Sequence, residues 1–269
     1  MAIGLSTYSF FWRWTAAQRP LSLTDMVERT AEAGATVFQI CDYPPIEEAS
    51  DGELERLRRR ASALGVRLEL GTRGVGGPHL ARYLDLAGRL DVGFVRTMLN
   101  TAEHRPTVAE AVALLAAALP GYAARGVTIG LETYEQVATD DLLAVVRGVD
   151  DPHLGVCLDP ANCVARLELP ATTVERTAPY VVNLHVKDFA FTRAPGWVGF
   201  SLVGCPLGTG LLDYAAMVAR VRPAERGINQ IVEHWLPRQE SIERTCAVED
   251  EWTRHSVEFL RRAHPADPG

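Results

Sequence analysis

The sequence lacks several features that would mark a membrane, secreted or nucleic-acid-binding protein. It has no run of about 18 or more apolar residues, so no membrane span is predicted. It begins with neither a basic segment nor a long apolar segment, so no secretory signal is predicted. It also has no excess of basic residues, because 27 Lys and Arg stand against 34 Asp and Glu for a formal net charge of −7. Broad nucleic-acid binding needs clustered cations, so no nucleic-acid partner is expected.

Paired cysteines are missing as well. The five cysteines include no Cys-x-x-Cys pair, and their number is odd. This usage is typical of a reducing compartment, so we expect buried thiols and a cytoplasmic location. The composition, 47% hydrophobic and 23% charged, is that of a globular protein and not of a disordered chain. Since no linker-like stretch divides the 269 residues, we predict one domain over 1–263 and a disordered tail over 264–269.

Short runs rich in Val, Ile and Leu alternate with helical patterns along the chain. Strands are predicted at 3–7, 36–40, 66–70, 94–98, 127–132, 154–159, 181–186 and 230–233. Helical patterns lie between them, the clearest over 106–124. Eight strand–helix units in series predict an α/β fold, a single (β/α)8 TIM barrel. A doubly wound sheet is the alternative, but residues 6–9, Ser-Thr-Tyr-Ser, stand where such a fold carries a Gly-rich turn.

Four consecutive predicted strands deliver side chains that bind metal ions. Strand five ends in Glu132, strand six ends in Asp159, strand seven carries His185, and strand eight ends in Glu233. Neighbouring barrel strands lie about 4.8 Å apart, and barrel chemistry gathers at the carboxyl ends of the strands. Three carboxylates brought together there would repel one another without a cation. We therefore predict one divalent ion on these four residues, with Mn²⁺ preferred and Mg²⁺, Co²⁺ or Zn²⁺ as alternatives.

Five sequence motifs carry a resemblance to a known family. They are GLETYE (130–135), GVCLDPAN (155–162), NLHVKD (183–188), PLGTGLLDY (206–214) and IVEHW (231–235). With them, the chain resembles the xylose isomerase-like TIM barrels, which include ketose 3-epimerases, inosose dehydratases and, more distantly, endonuclease IV. The resemblance runs from Ile3 to about Leu260 and implies the same four metal ligands. It also implies that Glu132 and Glu233 move protons on the two faces of the substrate.

The sequence departs from the epimerase pattern at one position. The third residue after Asp159 is often His in the epimerases, and here it is Asn162. An amide hydrogen-bonds a substrate hydroxyl but cannot act as a His-type base or ligand. The extra His and Asp ligands that endonuclease IV-type enzymes need are not supplied either.

The predicted metal centre is compatible with several reactions. An ion that polarises a hydroxy-ketone stabilises an enediolate. Returning a proton to this species gives isomerisation or epimerisation, whereas loss of a β substituent or of CO₂ makes the enzyme a lyase. We expect an isomerase or epimerase of a small ketose, keto-polyol or keto-sugar acid. A dehydrating or decarboxylating lyase is the alternative, followed by a non-catalytic carbohydrate-binding barrel.

Further residues are assigned around this centre. Lys187 lies two residues after His185 and so on the same side of its strand, where it would contact substrate oxygens, with a salt bridge to a barrel carboxylate as the alternative. Together with Glu132 and Glu233 it forms the predicted catalytic set. The predicted substrate-binding residues are Asn162, Arg73, Arg96, Glu135 and Trp12. The two arginines would hold a carboxylate or phosphate or else serve structural ion pairs.

Two aromatic loops are expected at the mouth of the barrel. One spans 8–14, and the other spans 189–210 and is predicted to lack secondary structure, as a substrate wall or a subunit contact. Gly204, Gly208 and Gly210 are residues of the type found in barrel phosphate loops, and Asp188 is expected to cap a turn. We expect a small carbohydrate or keto-acid substrate as partner, with a homodimer or homotetramer left open.

Overall fold

The computed structural model describes residues 1–264, which form a closed barrel of eight parallel strands surrounded by helices. In chain order the strands of the described residues are β1 (Ile3–Ser6), β2 (Val37–Cys41), β3 (Arg67–Gly71), β4 (Phe94–Thr97), β5 (Thr128–Glu132), β6 (Leu154–Leu158), β7 (Val181–Val186), β8 (Asp188–Arg193), β9 (Phe200–Cys205) and β10 (Asn229–Val232). Two of these strands, β8 and β9, lie outside the barrel. The barrel closes in the order β1-β10-β7-β6-β5-β4-β3-β2. The predicted TIM barrel is confirmed, and the doubly wound alternative is wrong.

The helices fill the connections between the barrel strands. They are α1 (Phe11–Thr15), α2 (Leu23–Glu32), α3 (Asp51–Ala63), α4 (Gly77–Leu90), α5 (Val108–Ala124), α6 (Thr139–Val149), α7 (Pro160–Val164), α8 (Pro170–Thr177), α9 (Tyr214–Val221), α10 (Pro223–Arg226) and α11 (Ile242–Ala263). Helix α2 begins where the sequence signals it, because Ser22 and Asp25 form a reciprocal capping box. None of the helices in the described part of the chain is long and apolar enough to cross a membrane.

The predicted loop over 189–210 is wrong. Strands β8 and β9 pair as an antiparallel hairpin on the rim of the barrel, with Phe191 opposite Leu202. The turn between them uses Gly196 and Gly199, both at positive φ, a conformation that costs glycine little. Most residues of the two strands are half-buried or exposed, among them Phe191 and Phe200. The hairpin therefore lacks the continuous apolar run that is typical of the barrel strands.

The glycine-rich segment after the hairpin surrounds the carboxylate of Asp188. The backbone N–H groups of Gly208, Gly210 and Leu212 donate to the Asp188 carboxylate, each at 2.9 Å. A Cβ at Gly210 would collide with Asp188 Oδ1. Because these amide groups are already satisfied, this segment is a structural turn around Asp188 and not a phosphate loop.

Two expectations concern the cysteines and the tail. Four cysteines are buried, Cys205 is partly exposed, and all five are free thiols. Residues 265–269, most of the predicted tail, lie outside the described residues. His264 is described, and its ring nitrogen Nε2 lies 2.7 Å from the Tyr214 hydroxyl.

Candidate active site

The four predicted metal ligands meet at the carboxyl ends of neighbouring barrel strands. Glu132 ends β5, Asp159 follows β6, His185 lies near the end of β7, and Glu233 follows β10. All four are buried. A cleft of about 460 Å³ opens beside them and is lined by Glu132, Glu233, Asn162 and rim residues. The barrel therefore brings together side chains that are up to 101 positions apart in the sequence.

The His185 ring points one nitrogen at the three carboxylates. Its Nδ1 lies 3.6 Å from Glu132 Oε1, 3.9 Å from Asp159 Oδ2 and 3.4 Å from Glu233 Oε2. Within residues 1–264 this buried atom has no hydrogen-bond partner. Ligand atoms of Glu132, Asp159 and His185 all lie within 4.8 Å of one another. A nitrogen without a partner among converging carboxylate oxygens fits a divalent cation, because an ion satisfies all of them at once.

Lys187 lies between two of the carboxylates. Its Nζ is 2.7 Å from Asp159 Oδ2 and 3.0 Å from Glu233 Oε2, and it stands 4.7 Å from the centre of the Trp235 ring. The salt bridge that the sequence left as the alternative is therefore present, and because Lys187 also lines the cleft, its substrate contact stays a prediction. It is the one lysine among the 27 basic residues of the chain. Burial alone would lower its pKa, but Asp159 and Glu233 raise it above the ordinary value and keep the ammonium charged.

Arg96 is buried between two carboxylates and not free to bind substrate. Its Nε lies 2.5 Å from Glu132 Oε2, and its Nη1 lies 3.2 Å from Asp42 Oδ1. Asp42 follows β2 and adopts a positive φ of 46°, which is uncommon outside glycine. Burial would raise the pKa of Asp42, but Arg96 and Arg73 lower it to about 2. Asp42 was missed from the sequence, although it stands at a strand end like the predicted ligands.

Each glutamate of the centre is held by neighbouring donors. Asn162 donates from Nδ2 to Glu132 Oε1 at 2.8 Å, and Ser6 donates to Glu233 Oε1 at 3.1 Å. Burial would raise the pKa of Glu132, but Arg96 and His185 lower it below its ordinary value. The pKa of Glu233 is lowered well below its ordinary value by His185 and Lys187, against the opposing effect of burial. Both side chains are therefore ionised.

Asp159 is held from two sides. Its Oδ1 accepts from the backbone N–H groups of Ala161 and Asn162 at the start of α7, and its Oδ2 faces Lys187 and His185. Burial raises its pKa to about 6, although Lys187 opposes the shift.

Of the remaining predicted substrate-binding residues, Arg73 and Glu135 lie on the rim of the cleft and Trp12 does not. Arg73 is 55% exposed, contacts the Tyr8 hydroxyl and Asp42, and lines the cleft. Glu135 is exposed on the same rim, in the turn that follows β5. Trp12 does not line this cleft. Its Nε1 donates to the Leu236 carbonyl, and its ring borders a smaller neighbouring pocket.

Comparison with known proteins gives a family match over most of the chain. The family model of the xylose isomerase-like TIM barrel matches residues 27–263. A 3-oxo-isoapionate decarboxylase of Pectobacterium atrosepticum is 60% identical over 266 residues, which cover 98% of this chain and 97% of the relative.

Solved structures give the same fold at low sequence identity. A D-psicose 3-epimerase in the presence of D-fructose has a TM-score of 0.75 at 16% identity, with 97% of this chain and 99% of that chain covered. The IOLI protein with a zinc atom has a TM-score of 0.74 at 15% identity, with coverage of 98% and 100%. At identities this low, the similarity supports a shared fold and no shared activity or substrate.

Proposed function

The chain belongs to the xylose isomerase-like TIM barrel family, and we propose that it is a metal-dependent decarboxylase of a 3-oxo sugar acid. The observation that carries this proposal is the 60% identity to a 3-oxo-isoapionate decarboxylase along nearly the whole length of both chains. A decarboxylase is a lyase, which the sequence left open as the alternative. The expectation of an isomerase or epimerase is not confirmed.

The substrate class defines the bonds that change. In a 3-oxo acid the ketone is β to the carboxylate, so it accepts the electron pair released when CO₂ departs. The bond between the carboxyl carbon and C2 breaks, and an enolate forms over C2, C3 and the ketone oxygen. A proton then adds to C2, which gives a ketone one carbon shorter. The reaction needs an acid and charge stabilisation, and it needs no base that removes a C–H proton.

The buried ligand set supports metal dependence. A divalent ion on Glu132, Asp159, His185 and Glu233 would supply a Lewis acid that stabilises negative charge on substrate oxygens. The barrel strands hold these side chains in converging positions before the substrate arrives, and their burial keeps bulk water from the centre. Asn162 adds a fixed hydrogen bond to Glu132.

Lys187 is the proton donor in this proposal. Its ammonium lies at the wall of the cleft, held by Asp159 and Glu233. There it stabilises the negative charge that develops on the substrate and then transfers a proton to C2. The transfer is downhill even for an ammonium of raised pKa, because the carbanionic carbon of an enolate is more basic than an alkylamine. The resulting amine regains its proton from water.

The hydrogen bonds of the two glutamates favour this chemistry over epimerisation. Epimerisation by two bases needs Glu132 and Glu233 to exchange protons with the substrate. Asn162 and Arg96 contact the two oxygens of Glu132, and Ser6 and Lys187 contact the two oxygens of Glu233. Both glutamates are therefore better suited to a ligand role than to proton exchange.

The substrate carboxylate needs a cation at the mouth of the cleft. Arg96 is enclosed by Asp42 and Glu132, so we assign the carboxylate to Arg73, which is the more exposed of the two. A guanidinium there recognises an anion in a bidentate manner, and it attracts the substrate despite the negative net charge of the whole chain.

Incubation of the purified protein and Mn²⁺ with 3-oxo-isoapionate in deuterated water, followed by NMR and CO₂ detection, tests this function. We expect CO₂ release in equal amount to substrate loss, with a single deuterium at the carbon that carried the carboxylate. A parallel incubation with D-psicose is expected to leave the sugar unchanged. Epimerisation of D-psicose without CO₂ release from the acid would replace the decarboxylase by an epimerase.

A further inference from the structure

A second buried carboxylate lies inside the barrel, apart from the metal centre. Glu69 on β3 is 5% exposed, and the proposed reaction does not use it. Its carboxylate accepts from three side-chain amides, Gln39 at 2.9 Å, Asn183 at 3.0 Å and Asn229 at 2.7 Å. All three partners act as donors, which matches an ionised carboxylate because this group accepts without donating. Glu69 lines a cavity at the amino-terminal end of the strands and not the active-site cleft.

Gln39 connects this carboxylate to a metal ligand. Its Nε2 donates to Glu69, while its Oε1 lies 2.7 Å from Nε2 of the His185 ring. The Cys41 thiol also donates to the same Oε1, at 2.8 Å. A flipped amide would turn its oxygen toward the Glu69 carboxylate. This contact between two acceptors would be unfavourable in a buried site, whereas the Cys41 thiol can rotate to donate or accept. Glu69 therefore selects the orientation of Gln39.

The orientation of Gln39 in turn selects the tautomer of His185. Because Gln39 presents an oxygen, the ring nitrogen Nε2 must carry the hydrogen. Metal binding requires the neutral ring, and in that form the lone pair lies on Nδ1, which is the atom that faces Glu132, Asp159 and Glu233. A hydrogen on Nδ1 instead would block the nitrogen as a ligand.

We propose that Glu69 is a positioning residue that acts through Gln39 to hold His185 in its metal-binding tautomer. The proposal rests on the metal centre of the proposed function and is independent of the reaction that the centre catalyses. Partners that orient a ligating histidine commonly change metal affinity by about 10–100-fold when they are removed.

Calorimetric titration of chelator-treated protein with Mn²⁺ alone tests this proposal without an activity assay. We compare Glu69→Gln, Gln39→Leu and the double variant with the wild-type protein. Each single substitution is expected to weaken Mn²⁺ binding by about 10–100-fold. The double variant is expected to bind no more weakly than Gln39→Leu, because Glu69 acts only through Gln39.

Gln230→Leu is the matched control, since Gln230 is another buried barrel amide. Its Oε1 accepts from the Tyr214 hydroxyl and takes no part in the Glu69–Gln39–His185 contacts. We expect this variant to keep the wild-type affinity. The proposal would be overturned if Gln230→Leu weakened Mn²⁺ binding as much as Glu69→Gln does. It would also be overturned if the losses of Mn²⁺ affinity were additive in the double variant, or if Glu69→Gln bound Mn²⁺ like the wild-type protein. Failure of the wild-type protein to bind any ion would remove the metal centre itself, and this result is distinct from the other three.

The wild-type protein supplies a second test that does not depend on the folding of a variant. In the Zn²⁺-loaded protein, ¹⁵N NMR of the histidine rings is expected to find the hydrogen of His185 on Nε2 and the metal on Nδ1. The opposite arrangement would overturn the proposal.

Discussion

Asn162 donates a hydrogen bond to Glu132 across the carboxyl ends of β5 and β6, at 2.8 Å between Nδ2 and Oε1. Arg96 contacts the other oxygen of the same carboxylate. Together they hold Glu132 ionised and fixed in place, as a ligand requires. A histidine at position 162, the residue expected there in an epimerase, would offer a titratable ring where this chain has an amide.

Removal of the Lys187 ammonium is expected to stop the reaction without emptying the metal centre. In Lys187→Met we expect kcat to fall by about 10²–10⁴-fold, the usual contribution of a positioned acid. Mn²⁺ binding is expected to persist, because the four ligands remain. Steady-state CO₂ release and calorimetry measure the two quantities, and near-wild-type turnover would remove Lys187 from the mechanism.

Lys187→Arg separates charge from proton transfer. A guanidinium keeps the positive charge but stays protonated, so this variant is expected to remain slow. Because Lys187 is the one lysine of the chain, borohydride treatment during turnover also gives a clear readout by mass spectrometry. No adduct on Lys187 is expected, since Asp159 and Glu233 hold it as an ammonium. A trapped adduct would indicate imine chemistry in place of the proposed mechanism.

Arg73 is expected to contribute to substrate binding more than to stability. In Arg73→Ala, KM for the 3-oxo acid is expected to rise by about tenfold or more, because a charged hydrogen bond contributes about 1.5–3 kcal/mol. Arg82→Ala is the matched control. Arg82 is 51% exposed and also paired with a carboxylate, Glu47, but it does not line the cleft. Equal KM values in the two variants would rule out Arg73 as the carboxylate site.

Arg96 is expected to stabilise the barrel rim. Arg96→Leu leaves the buried Glu132 and the partly buried Asp42 without their shared cation. Breaking a buried ion pair costs about 3–5 kcal/mol, so we expect a loss of this size in the free energy of unfolding in urea. Arg89→Leu removes an exposed arginine of α4 that pairs with Asp85, and a change within about 1 kcal/mol is expected there. Similar losses in the two variants would contradict this role.

Glu249 is expected to make stability depend on pH. The backbone N–H groups of Trp12 and Arg13 donate to its carboxylate, but burial raises its pKa from 4.5 to about 8. Between these values the folded protein binds more protons than the unfolded chain, so stability falls as pH rises, by up to about 1.4 kcal/mol per pH unit. Urea unfolding across this range should give a smaller slope for Glu249→Gln. Equal slopes would show that Glu249 does not cause the dependence.

The sequence was sufficient to predict the barrel and the convergence of its ligands. Buried parallel strands are nearly continuous apolar runs, so β5, β6 and β7 were found within two residues of their ends. The carboxyl ends of the strands meet at one face of any parallel barrel. The positions of these ends therefore predict that Glu132, Asp159 and His185 lie close together.

Contacts between distant residues could not be predicted in the same way. Side-chain rotamers inside the closed barrel decide which partners a residue contacts. Arg96 pairs with both Asp42 and Glu132. Gln39 contacts both Glu69 and His185. The hairpin could not be predicted from a continuous apolar run, because most residues of its two strands are half-buried or exposed. The predicted aromatic loop over 8–14 is wrong, because this segment is helical. Trp12 lies in α1, which directs its ring toward Leu236 and not into the cleft.

Metal-dependent CO₂ release from 3-oxo-isoapionate is the measurement that tests the proposed decarboxylase function most directly. We expect about one divalent ion per chain by elemental analysis, loss of CO₂ release after chelation, and recovery when Mn²⁺ is added back. Glu132→Gln and Glu233→Gln are expected to bind the ion more weakly and to release little CO₂. Full CO₂ release from metal-free protein would contradict a metal-dependent reaction.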